Sequence, residues 1–341
     1  MTSTATSLVP LSRLSAAAAA ARRLRAVWIL LLVGVVLSFS SPVFLTHGNL
    51  MNVGLATSVA ALLAIGQTYV IILAEIDLSV GAALGFTAVV TAQTLRDHGL
   101  LAGLSAGIAT GVLIGLVNGL LVTKTRMPSF IATLATMSVL AGLSLQFTGG
   151  NPVAVTDYDF QGIGQSRLAG VPVPVVIMLV VFAVFGYLLA RTRFGRHVYA
   201  TGDNTEAARL SGVRTDRVRI LAFVISGVLA ALAGFILTAR LSTAEPTAGT
   251  GLELEAIAAV IIGGTSLMGG RGTLLGTLVG ALVLGVIDNG MNLLDVSPFL
   301  QDVVKGLVIL LAVFLDRNID VLRAIIPRRS DSPAATIPDT P

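Results

Sequence analysis

RTRFGRHVYATGDNTEAARLSGVRTDRVR, running from Arg191 to Arg219, sets seven arginines between two long apolar runs. Carrying so many cations across a bilayer is costly, so basic loops stay on the cytoplasmic side and the position of this one fixes the topology. Val171–Ala190 precedes it and Ile220–Ala239 follows it, both free of charged residues. Four other segments share that character: Val27–Leu45, Leu50–Leu73, Leu100–Val122 and Pro128–Thr148. A hydrocarbon core needs about 20 apolar residues in helical form, and these lengths fit. Four more segments are short or carry charge: Val80–Leu95, Ala256–Met268, Thr273–Ile287 and Phe299–Leu315.

With the N-terminus inside and all ten segments spanning, 18 of the 22 basic residues fall in cytoplasmic segments. Arg96, Arg167 and Arg240 lie outside, and Lys305 lies within a span. Removing Val80–Leu95 would turn the seven-arginine loop outward, so that span is required. Removing Ala256–Met268 and Thr273–Ile287 together changes no parity, and both ten spans and eight plus a re-entrant pair stay open. The expected fold is all-α and polytopic, with about ten transmembrane helices, two of them short or re-entrant. Residues 27–316 form a single membrane domain containing the cytoplasmic loop 191–219, flanked by cytoplasmic tails at 1–26 and 317–341. Arg22–Arg25 before Val27–Leu45 has the order of a signal peptide, but the apolar run is too long, so an uncleaved first span is expected.

Composition agrees. Hydrophobic residues make up 55% and charged residues 12%, with a mean hydropathy of +0.90, outside the range of a soluble domain. The basic balance is explained by topology and by contact with anionic membrane lipid rather than by nucleic acid. No cysteine is present, which removes disulfides and thiol chemistry. Both lysines, Lys124 and Lys305, lie outside any phosphate-binding loop, so ATP is not bound by that route. No paired carboxylates or Ser/His/Asp cluster argue for an enzyme, and no cofactor or metal set is expected.

Within the basic loop, Asn204 or Thr205 can cap a short helix that carries Glu206 in its first turn and ends at Gly212. Closed at both ends, such a helix is either a peg for a partner protein or a solvated connector. Asp77 and Ser79 sit where one apolar run stops and the next begins. Three roles are open there: capping the Val80 helix, lining a solute path, or binding a cation. Glu75 is expected at the cytoplasmic interface. A second glycine-broken zone, Gly263–Gly272, interrupts the later half, and paired interruptions of this kind often mark a substrate route. Asp302 and Lys305, three apart, can pair on one helix face.

Glu206-Ala207-Ala208, followed after three residues by Gly212, resembles the coupling-loop signature of bacterial ABC-importer permeases. Other stretches are similar to the monosaccharide branch of that family: Gly66-Gln67-Thr68, Ile76-Asp77-Leu78-Ser79-Val80-Gly81, Asn118-Gly119, Pro128-Ser129-Phe130-Ile131-Ala132-Thr133-Leu134, and Gly263-Gly264-Thr265-Ser266 with Gly269-Gly270-Arg271-Gly272. The likeness runs from about Leu50 to Asp316. Glu75 departs from it, standing where many ribose-type members carry a small residue. The resemblance implies an inner-membrane homodimer that works with a separate ABC ATPase subunit and an extracytoplasmic solute-binding protein. It assigns ATPase coupling to Arg196, Gly202, Asn204, Glu206, Ala207, Ala208 and Gly212. The path is expected along Glu75, Asp77, Ser79, Gly81, Asn118, Gly263 and Gly264. Competing readings are an ion-coupled secondary transporter using Glu75 and Asp77, a permease for a nucleoside or branched-chain amino acid, and a non-transporting scaffold.

Overall fold

A computed structural model describes residues 25–325. The tail expectations for residues 1–24 and 326–341 lie outside the described residues. The helices run, in chain order, α1 (Arg25–Ser40), α2 (His47–Ile72), α3 (Val80–His98), α4 (Leu100–Lys124), α5 (Ser129–Thr148), α6 (Tyr158–Gln165) and α7 (Val173–Arg191). They continue as α8 (Arg193–Asp203), α9 (Thr205–Leu210), α10 (Thr215–Leu241), α11 (Leu252–Ile262), α12 (Leu274–Leu293) and α13 (Pro298–Ile325). The fold is predominantly helical but not purely so. Strand β1 (Val153–Ala154) pairs antiparallel with β4 (Thr243–Ala244), and β2 (Arg167–Leu168) with β3 (Val171–Pro172).

Six described helices are long and apolar enough to cross a membrane: α2, α4, α5, α7, α10 and α12. Against the expected count of about ten, six described helices meet the length and composition of a span, and the helix ends differ from the apolar runs. The first apolar run stops as a helix at Ser40, giving a 16-residue α1. The segment expected at Ala256–Met268 is helical only over the 11 residues of α11, too short to span alone at about 1.5 Å per residue. Its neighbour, expected to be short at Thr273–Ile287, is a 20-residue helix of spanning length.

Burial sorts the bundle into centre and rim. Of the apolar stretch of α2, 89% is buried, against 22% for α5 and α7, so α2 is central while α5 and α7 present apolar faces outward. Helix α10 packs on α2, α3 and α4. Its seam with α4 is made by Gly111, Gly115 and Gly227, where an added Cβ would overlap the facing backbone. Small residues at such seams let helices approach in lipid, where packing replaces the hydrophobic drive.

The ends of the bundle differ in charge. At one end Lys124 pairs with Asp216 at 3.0 Å, tying the end of α4 to the start of α10 beside α8 and α9. At the opposite end the β1–β4 ladder and α6 cover α10, with the Gln165 amide donating to the Ala239 carbonyl at 3.2 Å. Lys305 does not pair with Asp302 as expected from their spacing. Its Nζ reaches Asp288 Oδ2 on α12 at 3.1 Å, because packing across the bundle offers a nearer carboxylate than its own helix does.

Candidate functional site

The basic loop folds as two helices rather than one. The Thr192 hydroxyl accepts the Gly195 N–H at 3.3 Å and opens α8. Asn204 then breaks the chain and restarts it, its Oδ1 accepting the Ala207 N–H at 2.9 Å. Helix α9 closes with the Gly212 N–H donating to the Arg209 carbonyl and the Val213 N–H to the Ala208 carbonyl, both at 3.0 Å. Gly212 has φ +86°, the left-handed turn for which glycine is favoured. Glu206 and Arg209 pair at 2.7 Å on the exposed face. The guanidinium holds the Glu206 carboxyl below the usual range, and the carboxylate raises Arg209 in turn. Arg196, Glu206 and Ala207 are exposed, whereas Ala208 is buried against the bundle.

The two broken zones expected from the sequence meet beneath this loop. The Gly270 N–H donates to the Ile72 carbonyl at 2.9 Å, and the Tyr199 hydroxyl donates to the Gly272 carbonyl at 2.8 Å. Gly202 sits between them, where a Cβ would overlap the Ile72 carbonyl and crowd the Gly270 nitrogen. Gly263 packs on the backbone of Gly276, and Gly264, with φ +89°, ends α11. Arg219 adds a fourth tie: its Nε lies 3.1 Å from Glu75 Oε1, and its Nη2 donates to the Thr205 hydroxyl at 3.1 Å. Glu75 thus joins the α2 break to the first residue of α9.

Further into the bundle, the stretch Leu73–Ser79 is irregular but fully engaged. The Ser129 hydroxyl accepts the Ile76 N–H at 3.0 Å, and the Thr133 hydroxyl accepts the Leu78 N–H at 3.0 Å. The Gln67 amide donates to the Asp77 carbonyl. Asp77, only 2% exposed, accepts the Ser79 N–H at 3.0 Å and the Ser79 hydroxyl at 2.6 Å on Oδ1, and the Ser226 hydroxyl at 2.9 Å on Oδ2. Asn118 donates to the Ser79 hydroxyl at 2.8 Å. Ser79 precedes Val80 but makes no side-chain cap of its own. Asp77 instead ties the turn to α10, and Ser79 passes the tie on to α4.

Sequence reasoning did not find Ser226, Tyr199 or Arg219 as partners. A hydroxyl in the middle of the apolar run Ile220–Ala239 was the available signal for Ser226, since buried hydroxyls require partners. Leu210, 79% exposed on α9, also went unmarked.

A bundle of apolar helices with a capped, charged two-helix projection at one end has the character of a multi-pass membrane protein. The chain belongs to the family described as branched-chain amino acid transport system / permease component, which matches residues 49–313. It is 49% identical over 287 residues to the ribose import permease protein of Bacillus subtilis, covering 83% of this chain and 89% of that one. The ribose import permease protein of Escherichia coli K12 is 47% identical over 294 residues, covering 85% and 92%. The L-arabinose transport system permease protein of the same strain is 40% identical over 277 residues, covering 81% and 84%. No solved structure matches the chain.

Proposed function

We propose that this chain is the membrane permease subunit of an ATP-driven, binding-protein-dependent importer of a simple sugar, with ribose the first candidate. The observation that carries the reading is the identity of 47–49% to two ribose import permease proteins across most of both chains. The arabinose and allose permeases stand further off at 40%, which orders the candidate sugars. Similarity of this kind also favours transport over the scaffold reading.

Sidedness follows from charge. Lys124, Arg126, the Arg191–Arg219 loop and the Arg271 turn gather at one end of the bundle, which supports placing that end in the cytoplasm. There α9 is the peg for a separate ABC ATPase subunit, with Glu206, Ala207 and exposed Leu210 on its outer surface and Arg196 exposed on the neighbouring α8. Asn204, Ala208 and Gly212 set its shape, and Gly202 seats it against both broken zones. The opposite end receives the solute-binding protein. Two copies of the chain form the transporter in the inner membrane, with the sugar route near their two-fold axis. Of the residues expected along that route, Asp77, Ser79 and Asn118 are buried within one subunit and act as its frame. Glu75 ties through Arg219 to α9, Gly263 packs on Gly276, Gly264 turns the chain after α11, and Gly81 borders a recess.

The test is uptake by liposomes holding this chain, its ATPase and its binding protein. Ribose uptake that requires ATP and all three components is expected. Uptake by this chain alone that collapses with an ion gradient would establish the secondary-transporter reading instead. A reporter cysteine at Ala207 is expected to escape an impermeant thiol reagent applied to intact cells, and labelling there overturns the sidedness.

A further inference from the structure

A cavity of about 180 Å³ opens between the start of α3, the middle of α5 and the chain leading into α11. Its wall includes Gly81, Met137, Leu145, Thr247, Thr250 and Glu253. Depth can be read from α11. Its 11 residues rise about 16 Å from Leu252 to Ile262, and its far end leads into the glycine turn whose Gly270 bonds to Ile72 at the α8–α9 seat. That is roughly half of a 30 Å hydrocarbon core, so the cavity sits near mid-membrane.

The stretch Glu245–Gly251 is not helical, and its backbone bonds are local turns: Ala248 N–H to Glu245 at 3.1 Å and Thr250 N–H to Thr247 at 3.0 Å. Thr247 and Thr250 are exposed on the surface of the subunit. Irregular backbone at this depth is tolerated only against protein or a water-filled space, never against lipid. Glu253 sharpens the point. Its Oε1 accepts the Gly251 N–H at 3.2 Å, while Oε2 rests against Gly81 with no hydrogen-bond partner among the described residues. The Thr247 hydroxyl donates to Glu245 Oε1 at 3.1 Å and keeps its acceptor sites.

We infer that this cavity is the mid-membrane sugar contact of the transport route, with Glu253 and Thr250 meeting the hydroxyls of a monosaccharide. A carboxylate accepts sugar hydroxyls, and a threonine hydroxyl both gives and accepts. Met137 and Leu145 offer an apolar wall to the C–H face of the ring. So few polar groups suit a contact that must release its solute as well as hold it. The inference rests on the sugar-permease reading above.

The absence of cysteine makes a direct test available in the assembled complex with its ATPase and binding protein. Thr250→Cys is expected to react with a charged methanethiosulfonate reagent, read as the mass of this chain. Saturating ribose during ATP turnover should slow that reaction, and modification should block uptake. Val180→Cys, on the outward face of α7, should not react. Glu253→Gln is expected to lower uptake about tenfold, as loss of one charge-assisted hydrogen bond would, while ATP hydrolysis stimulated by the binding protein persists. Reaction of Thr250→Cys only with a lipid-soluble maleimide, or normal uptake by Glu253→Gln, overturns the inference. If Thr250→Cys fails to assemble, Thr247→Cys carries the same measurement. A wild-type complex that imports no monosaccharide refutes the functional reading, and water access at Thr250 then still decides whether the cavity is a solute route.

Discussion

Two irregular stretches lie within the helical bundle, and they solve the same problem in opposite ways. Leu73–Ser79 is tied from four helices by Ser129, Thr133, Gln67, Ser226 and Asn118. Glu245–Gly251 is held by its own turns and shows Thr247 and Thr250 to the surface. The second comes close to the first where Gly249 packs on Gly81, in the first turn of α3. A backbone break in lipid must be satisfied either by the same subunit or by something outside it. The first stretch is therefore frame, and the second is a surface that requires a partner or water.

The largest effect should come from the frame. Asp77→Ala leaves the Ser79 N–H and the Ser79 and Ser226 hydroxyls without their acceptor. Each buried unpaired group costs about 1–3 kcal/mol, so a loss of about 3 kcal/mol or more is expected in detergent-solubilised thermal unfolding. Survival of Asp77→Ala with wild-type stability would erase the contrast between the two stretches. Gly202→Val comes next. Its Cβ meets the Ile72 backbone, overpacking costs about 1–3 kcal/mol, and ATPase co-purification with the chain should fall.

Gly212→Arg forces a side chain into the left-handed region at about 1–2 kcal/mol, confined to the closing turn of α9. Transport should uncouple and ATPase association weaken while the spans stay inserted. An unchanged pull-down would remove α9 from its assigned role. Glu75→Gln removes one partner of a half-buried ion pair with Arg219 and should cost about 1 kcal/mol. Its effect is expected to shrink in high salt, measured as the same thermal shift at two ionic strengths. Smallest is Thr250→Ala, within about 0.5 kcal/mol of wild type, as for a surface residue. A large loss of stability there would mean that the second stretch is frame too.

Much of the basic loop's local chemistry was legible in order along the chain. The cap at Asn204 and the stop at Gly212 follow from local rules and stand as expected, because each involves residues within one turn. The break at Asp77 was visible as a charge between apolar runs, but its closure was not: Ser226 lies 149 positions away. Spacing likewise suggested Asp302 for Lys305, and the bundle supplied Asp288 instead. Of the about ten spans expected, six described helices have the length and composition to cross; apolar length does not say where a helix stops, and α11 stops after 11 residues.

The sequence by itself determined that the chain is a membrane protein, which loops carry its positive charge, and where its helices can be capped or broken. These depend on transfer free energies and on residues close together in the chain. The tertiary structure alone decided that the two broken zones lock together beneath α8, and that one irregular stretch is sealed while the other lies open. Those outcomes depend on which distant backbones come within van der Waals reach, a quantity that packing of the whole bundle sets.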